Sequence, residues 1–171
     1  MAIRNIIMVL TGLIAATTVI AAAEKAPETS DIIYGKVTID QLFKMNPTWA
    51  SLADAYQPDS LSIDYLKHVE SPVAIQAYYG YWCSDSETNV PKLIKTLELA
   101  KNASIEIEFW NVARKKEGEE RPPVNGRKLQ AIPTFVVLVG GTEMGTIVEN
   151  PKESVEKDLV SLIKQIEPEL P

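Results

Sequence analysis

The residues best equipped for chemistry lie together at Tyr81-Trp82-Cys83-Ser84-Asp85-Ser86. Cys83 is the one cysteine in 171 residues, so no intramolecular disulfide can form. It falls where an apolar run ends and a helical pattern begins. A helix N-terminus presents unpaired N–H groups and about half a positive charge, which favours thiolate, the nucleophilic form, over thiol. Ser86 stands three residues on, one helical turn away, where a hydroxyl can donate to the sulfur. Asp85 works in the opposite sense, because a nearby carboxylate favours the protonated thiol. Trp82 and Tyr81 offer an apolar collar. The competing reading of Cys83 is a small buried hydrophobe. Its place at a helix start beside Trp82 favours an accessible, reactive thiol.

The totals narrow the functions open to such a thiol. The chain is 46% hydrophobic and 23% charged with a net charge of −6, which describes a globular protein with enough length for a real core. A pI near 4.9 argues against nucleic acid and anionic membranes as partners. A metal site is not expected, since Cys83 and the only histidine, His68, do not make a ligand set. No cofactor is implied. Asn102-Ala103-Ser104 matches a glycosylation acceptor pattern.

Residues 1–23 read as a targeting segment: Arg4, then the apolar stretch Ile6 to Ile20, then Ala21-Ala22-Ala23 as a cleavage signal. The expected destination is therefore export, to a periplasm or outside the cell. An uncleaved, membrane-anchoring segment is the alternative, although Thr11, Gly12, Thr17 and Thr18 dilute it. No membrane contact is expected beyond this segment. Export implies an oxidising compartment, where a lone thiol is either buried or exposed and reactive.

The elements that must position Cys83 follow from periodicity. Residues 24–58 read as a polar tether and an N-terminal extension, with a short strand within Tyr34 to Ile39 and a helix opened by Asn46-Pro47. Asp59 or Ser60 caps a helix carrying Leu61, Tyr65, Leu66 and Val69. Val73 to Tyr79 reads as a strand running into Trp82-Cys83. From Ser84 a helix carries Val90, Leu93, Ile94, Leu97 and Ala100, with Pro91 inside it. Ile105, Ile107 and Phe109 alternate as a strand, and Ala113 to Lys128 reads as a charged loop. Phe135 to Val139 and Met144 to Val148 make a hairpin about Gly140-Gly141. Asn150-Pro151-Lys152-Glu153 reads as the cap of a final amphipathic helix. The order predicts an α/β fold, a central mixed sheet with helices on both faces.

Over residues 59 to 167 the sequence resembles the thioredoxin superfamily. Trp82-Cys83 ends a strand and opens a helix, Pro91 follows Cys83 by eight residues, and Ile132-Pro133-Thr134 precedes a late strand. The resemblance implies a thioredoxin-like three-layer fold over 59–171 with an N-terminal helical extension. It also implies a cis bond before Pro133, and a groove at Trp82, Ile132 and Pro133 where an extended substrate segment adds to the backbone. Two departures stand out. Ser86 replaces the second, resolving cysteine, and Ala77 stands where thioredoxins carry a buried aspartate.

The function so implied is thiol–disulfide exchange by one nucleophile, Cys83, with Ser86 as its candidate helper. Chemistry of the monothiol, mixed-disulfide or isomerase type fits, with protein or glutathione-type thiols and disulfides as partners. The alternative is a redox-inert module that binds a protein partner through the groove at Trp82 and Ile132-Pro133.

Overall fold

The structure, a computed structural model, describes residues 32–166. In chain order it contains β1 (Gly35–Val37), α1 (Ile39–Met45), α2 (Pro47–Ala55), α3 (Ser60–Lys67), β2 (Val73–Tyr79), α4 (Ser84–Ala100), β3 (Ile105–Asn111), β4 (Thr134–Val139), β5 (Thr142–Val148) and α5 (Val155–Ile163). The targeting segment and the residues of the tether up to Asp31 lie outside the described residues. Among the described residues no helix is long and apolar enough to cross a membrane.

Local chemistry sets most of the boundaries. The strand expected to reach Ile39 stops at Val37 because Thr38 begins a helix instead. Its Oγ1 accepts the Gln41 N–H (3.2 Å), and Gln41 Oε1 accepts the Thr38 N–H (2.9 Å), a reciprocal cap. Asn46 precedes Pro47 as expected, but its side chain closes α1, donating from Nδ2 to the Leu42 carbonyl at 3.0 Å. Asp59 caps α3 by accepting the Ser62 N–H at 2.8 Å. The last helix starts later than expected. Ser154, not Asn150, caps α5, and the Asp158 carboxylate accepts the N–H groups of Lys152 and Glu153. The Asn102 amide donates to the Leu66 and Val69 carbonyls at 2.8 and 2.7 Å, which closes α3 and occupies the nitrogen of the glycosylation pattern.

The strands form one mixed sheet in the order β1-β3-β2-β4-β5, with β2 and β3 parallel and the other neighbours antiparallel. Register gives the sheet two unlike faces. On one, Val73, Ile75, Ala77 and Tyr79 of β2 align with Phe109 of β3 and Phe135 and Val137 of β4. Leu42, Trp49, Leu66, Leu93 and Leu159, one from each of the five helices, pack on this face. Each fully buried leucine contributes about 1.5–3 kcal/mol relative to exposure.

The other face holds Tyr78, Trp110, Val136 and Leu138, covered by Val112, Val124, Leu129 and Ile132. Helices were expected on both faces; here the second is covered by the segment between β3 and β4. Four breakers, Gly118, Pro122, Pro123 and Gly126, keep that segment from building a helix. Its regular structure among the described residues is a bridge between Val124 and Arg127.

The residues before Asp59 share this core. Val37, Leu42, Met45 and Trp49 belong to the same buried cluster as the central strands. Trp49 and Tyr79 lie ring to ring at 5.6 Å. Glu156, buried at the start of α5, accepts the Tyr56 hydroxyl (2.8 Å) and the Asp59 N–H (3.1 Å). Burial would push its carboxyl up, but hydrogen bonds from Ser154, Asp59 and Tyr56 hold it below the usual carboxylate range.

Candidate active site

The turn between β2 and α4 is fixed from below before any reactive atom is placed. Gly80 has no space for a side chain: a Cβ there would lie 2.7 Å from Ile132 Cδ1 and 2.9 Å from Trp82 Cε2. That close approach brings the β2–α4 turn against the segment preceding β4. Trp82 then donates from Nε1 to the Val112 carbonyl at 3.1 Å, which pins its ring along the end of β3. Asn111, buried at the end of β3, accepts the Tyr81 N–H at 3.3 Å and donates to the Ile33 carbonyl at 2.7 Å. A single amide thus joins the turn to the N-terminal segment.

Cys83 is the N-cap of α4, and its carbonyl accepts the Glu87 N–H at 3.0 Å. The helix runs 17 residues with Pro91 inside it. The Cys83 side chain is half-buried against the apolar cluster of the second face, and its Sγ donates to the Ile132 carbonyl at 3.5 Å. The Ile132–Pro133 peptide bond is cis. Thr134 Oγ1 donates to the Ala131 carbonyl at 2.7 Å, and the Glu149 N–H donates to the Pro133 carbonyl at 2.7 Å. Asn89 of α4 donates to the Glu149 carbonyl at 2.9 Å, so the helix bearing Cys83 and the turn bearing Pro133 share one hydrogen-bonded frame.

The structure thus brings Trp82, Cys83, Ile132 and Pro133 together. Ser86 is adjacent but turned inward. It is fully buried, and its Oγ accepts the Gly80 N–H at 3.2 Å. That bond satisfies a buried donor of the turn, a positioning contact one step removed from the sulfur. Ala77 is buried between Phe109 and Phe135 on the helix-covered face, an apolar place in the sheet core.

Two arginines join the site that sequence reasoning did not single out. The Arg114 guanidinium lies over the Trp82 ring, 4.7 Å from its centroid. Arg121 lies near enough to Cys83 for their charges to interact, while its partial burial lowers its own basicity. Arg121 Nε is buried with no hydrogen-bond acceptor among the described residues. Both arginines come from the loop after β3, and only their shared membership of a charged stretch marked them. Asn111 and Gly80 carried a weaker signal still, a polar residue and a glycine at strand ends. A cavity of about 520 Å³ lies on another flank of α4, lined by Leu52, Tyr56, Ser84, Glu87 and Pro91, and Cys83 does not line it.

A thioredoxin family model matches residues 39–164. The chain belongs to this thioredoxin family. The matched range includes α1 and α2, in keeping with their place in the common core. Among solved structures, the chain is similar to a Pseudomonas aeruginosa protein of unknown function, with 18% identity over 71% of this chain and 81% of that one, TM-score 0.49. It is also similar to thioredoxin f2 of Chlamydomonas reinhardtii, with 18% identity over 63% of this chain and 90% of that one, TM-score 0.37. A mutant thioredoxin from Halobacterium salinarum matches with 18% identity over 68% of this chain and 92% of that one, TM-score 0.38. No curated protein matches the sequence. The family places the chain generally among thiol-redox or thioredoxin-fold proteins.

Proposed function

We propose that this protein is an exported monothiol exchange protein in which Cys83 is the nucleophile. The observation that carries the reading is the placing of Cys83 at the N-terminus of α4, half-exposed and 3.5 Å from the Ile132 carbonyl. Cys83 opens α4 as its N-cap, with no hydrogen bond from its side chain to the helix amides. The Ile132 backbone beside Pro133 offers an edge on which an extended partner can lie.

In the proposed reaction the Cys83 thiolate attacks one sulfur of a disulfide R–S–S–R′. A Cys83–S–S–R bond forms, the R–S–S–R′ bond breaks, and R′S⁻ leaves and takes a proton from water. The chain has no second thiol, and the Ser86 hydroxyl is held on the Gly80 N–H. Release therefore needs an outside thiol or return attack by the thiol freed from the substrate. The first is monothiol reduction and the second is isomerisation.

A coupled assay of glutathione-dependent bis(2-hydroxyethyl) disulfide reduction tests the reading. Activity above background is expected with the intact thiol and none with Cys83→Ser. A wild-type rate equal to that of Cys83→Ser favours instead the redox-inert role, binding of a protein partner at Trp82 and Ile132-Pro133.

A further inference from the structure

The chain carries a net charge of −6, yet residues 113–128 hold six basic side chains against three acidic ones. That cationic stretch does not cover a random part of the surface. Arg114 lies on Trp82, Arg121 lies within range of a charge on Cys83, and Leu129 packs in the apolar cluster that Cys83 contacts. The same stretch and the two residues after it line a cavity of about 260 Å³, formed by Lys115, Glu120, Arg121, Lys128, Leu129 and Gln130. Three of those six are cations. Glu120 sits 3.3 Å from Lys128, a pair exposed enough to be weak. Arg121 has no such partner among the described residues, and its buried Nε–H lacks an acceptor. A cation without an ion-pair partner that lines a cavity is completed by an anion.

We infer that this cavity receives a carboxylate of the partner whose disulfide Cys83 attacks, so that the preferred substrate is a disulfide between small carboxylate-bearing thiols. The inference rests on Cys83 acting as the nucleophile. Its volume suits one arm of such a molecule: at about 30 Å³ per water it holds roughly nine water-sized units. A guanidinium fork matches a carboxylate in two-point geometry, and Lys115 and Lys128 add unforked positive charge. The exchange itself is unchanged. Cys83 forms the new disulfide with one half of the substrate, the old S–S bond breaks, and the other half departs as a thiolate.

The test compares rates of mixed-disulfide formation with oxidised glutathione (anionic), bis(2-hydroxyethyl) disulfide (neutral) and cystamine (cationic). Each rate is divided by that of the same disulfide with N-acetylcysteine, which removes intrinsic reactivity. The anionic-to-neutral ratio is expected to exceed that reference by about fivefold or more at low salt and to shrink towards it near 0.5 M salt. Cystamine should fall below the neutral probe. Arg121→Gln should lower the ratio by about three- to tenfold, Lys128→Gln by less, and Arg121→Lys should restore part of the loss. A peptide disulfide flanked by aspartates, run alongside, separates the two sources of carboxylate. Preference for glutathione places it on a small thiol, and preference for the peptide alone overturns the small-thiol assignment. A wild-type ratio at the reference value, or a ratio unmoved in Arg121→Gln, overturns the inference while leaving Cys83 as nucleophile. No reaction with any of the probes overturns both.

Discussion

The two faces of the sheet are built from the same strands and do different work. On the helix-covered face, alternate residues of β2 meet side chains from all five helices, and Ala77 lies among Phe109, Phe135 and their neighbours without a charge. On the other face, a handful of apolar residues around Tyr78 and Val136 are roofed by a loop that also carries Arg114, Arg121 and Lys128. The lesson is a division of labour. Packing energy resides where periodic helices meet the sheet, and the thiol sits at the rim of the face where the covering is irregular and charged. Functional residues concentrate on segments of that second kind because loops can place polar groups without disturbing a core.

The contrast can be broken most directly by deleting one leucine from each side. Leu159→Ala, fully buried in α5, is expected to cost about 2–5 kcal/mol, and Leu129→Ala, under the loop, about 2 kcal/mol or less, because a loop can settle into the gap. Denaturant midpoints at fixed m-value give both numbers. Equal losses would show that the loop face is as much core as the helix face.

Glu156 sharpens the contrast, since it is a charge buried on the helix side. Its carboxyl is held below the usual range when folded, so it contributes stability above its unfolded value, about 4.3, and that contribution fades as pH falls through the folded value. Glu156→Gln is expected to cost about 1–3 kcal/mol near neutral pH and to flatten the acid limb of stability against pH below about 4.3. An unchanged acid limb would remove Glu156 from the account. The smallest effect is expected at Ser86, where Ser86→Ala leaves the buried Gly80 N–H without its acceptor, for a loss of about 1 kcal/mol. A loss below the precision of thermal unfolding would mean that another acceptor replaces it.

Much of this arrangement was legible in the sequence, because spacing along one chain segment encodes it. Trp82-Cys83 at a strand–helix junction and Ile132-Pro133-Thr134 before β4 needed no long-range information, and the structure places them side by side. Ala77 was singled out by the resemblance alone, as the place where thioredoxins carry a buried aspartate, and the structure buries it in the sheet core. Elements set by side-chain-to-backbone bonds were less legible. Thr38 and Gln41 form a reciprocal cap where strand alternation pointed through Ile39, and Ser154 outcompetes Asn150 for the start of α5. The direction of Ser86 was not encoded at all, since its hydroxyl answers a Gly80 N–H exposed only once the turn has formed. The covering of the second face was hidden for a related reason. The breakers within Ala113 to Lys128 marked a loop, but residues 113–131 have no period to read. The placing of that loop over the second face, with Arg114 on Trp82, therefore does not follow from local pattern.

The central claim is that Cys83 makes a mixed disulfide which this chain cannot resolve alone. Intact mass spectrometry of the reduced protein, mixed under native conditions with an excess of a small disulfide, tests it directly. The account predicts one adduct per chain, none with Cys83→Ser, stable after the excess disulfide is removed and lost on addition of a free thiol. A native chain that forms no adduct, while the unfolded chain does, would contradict it by showing the thiol to be shielded.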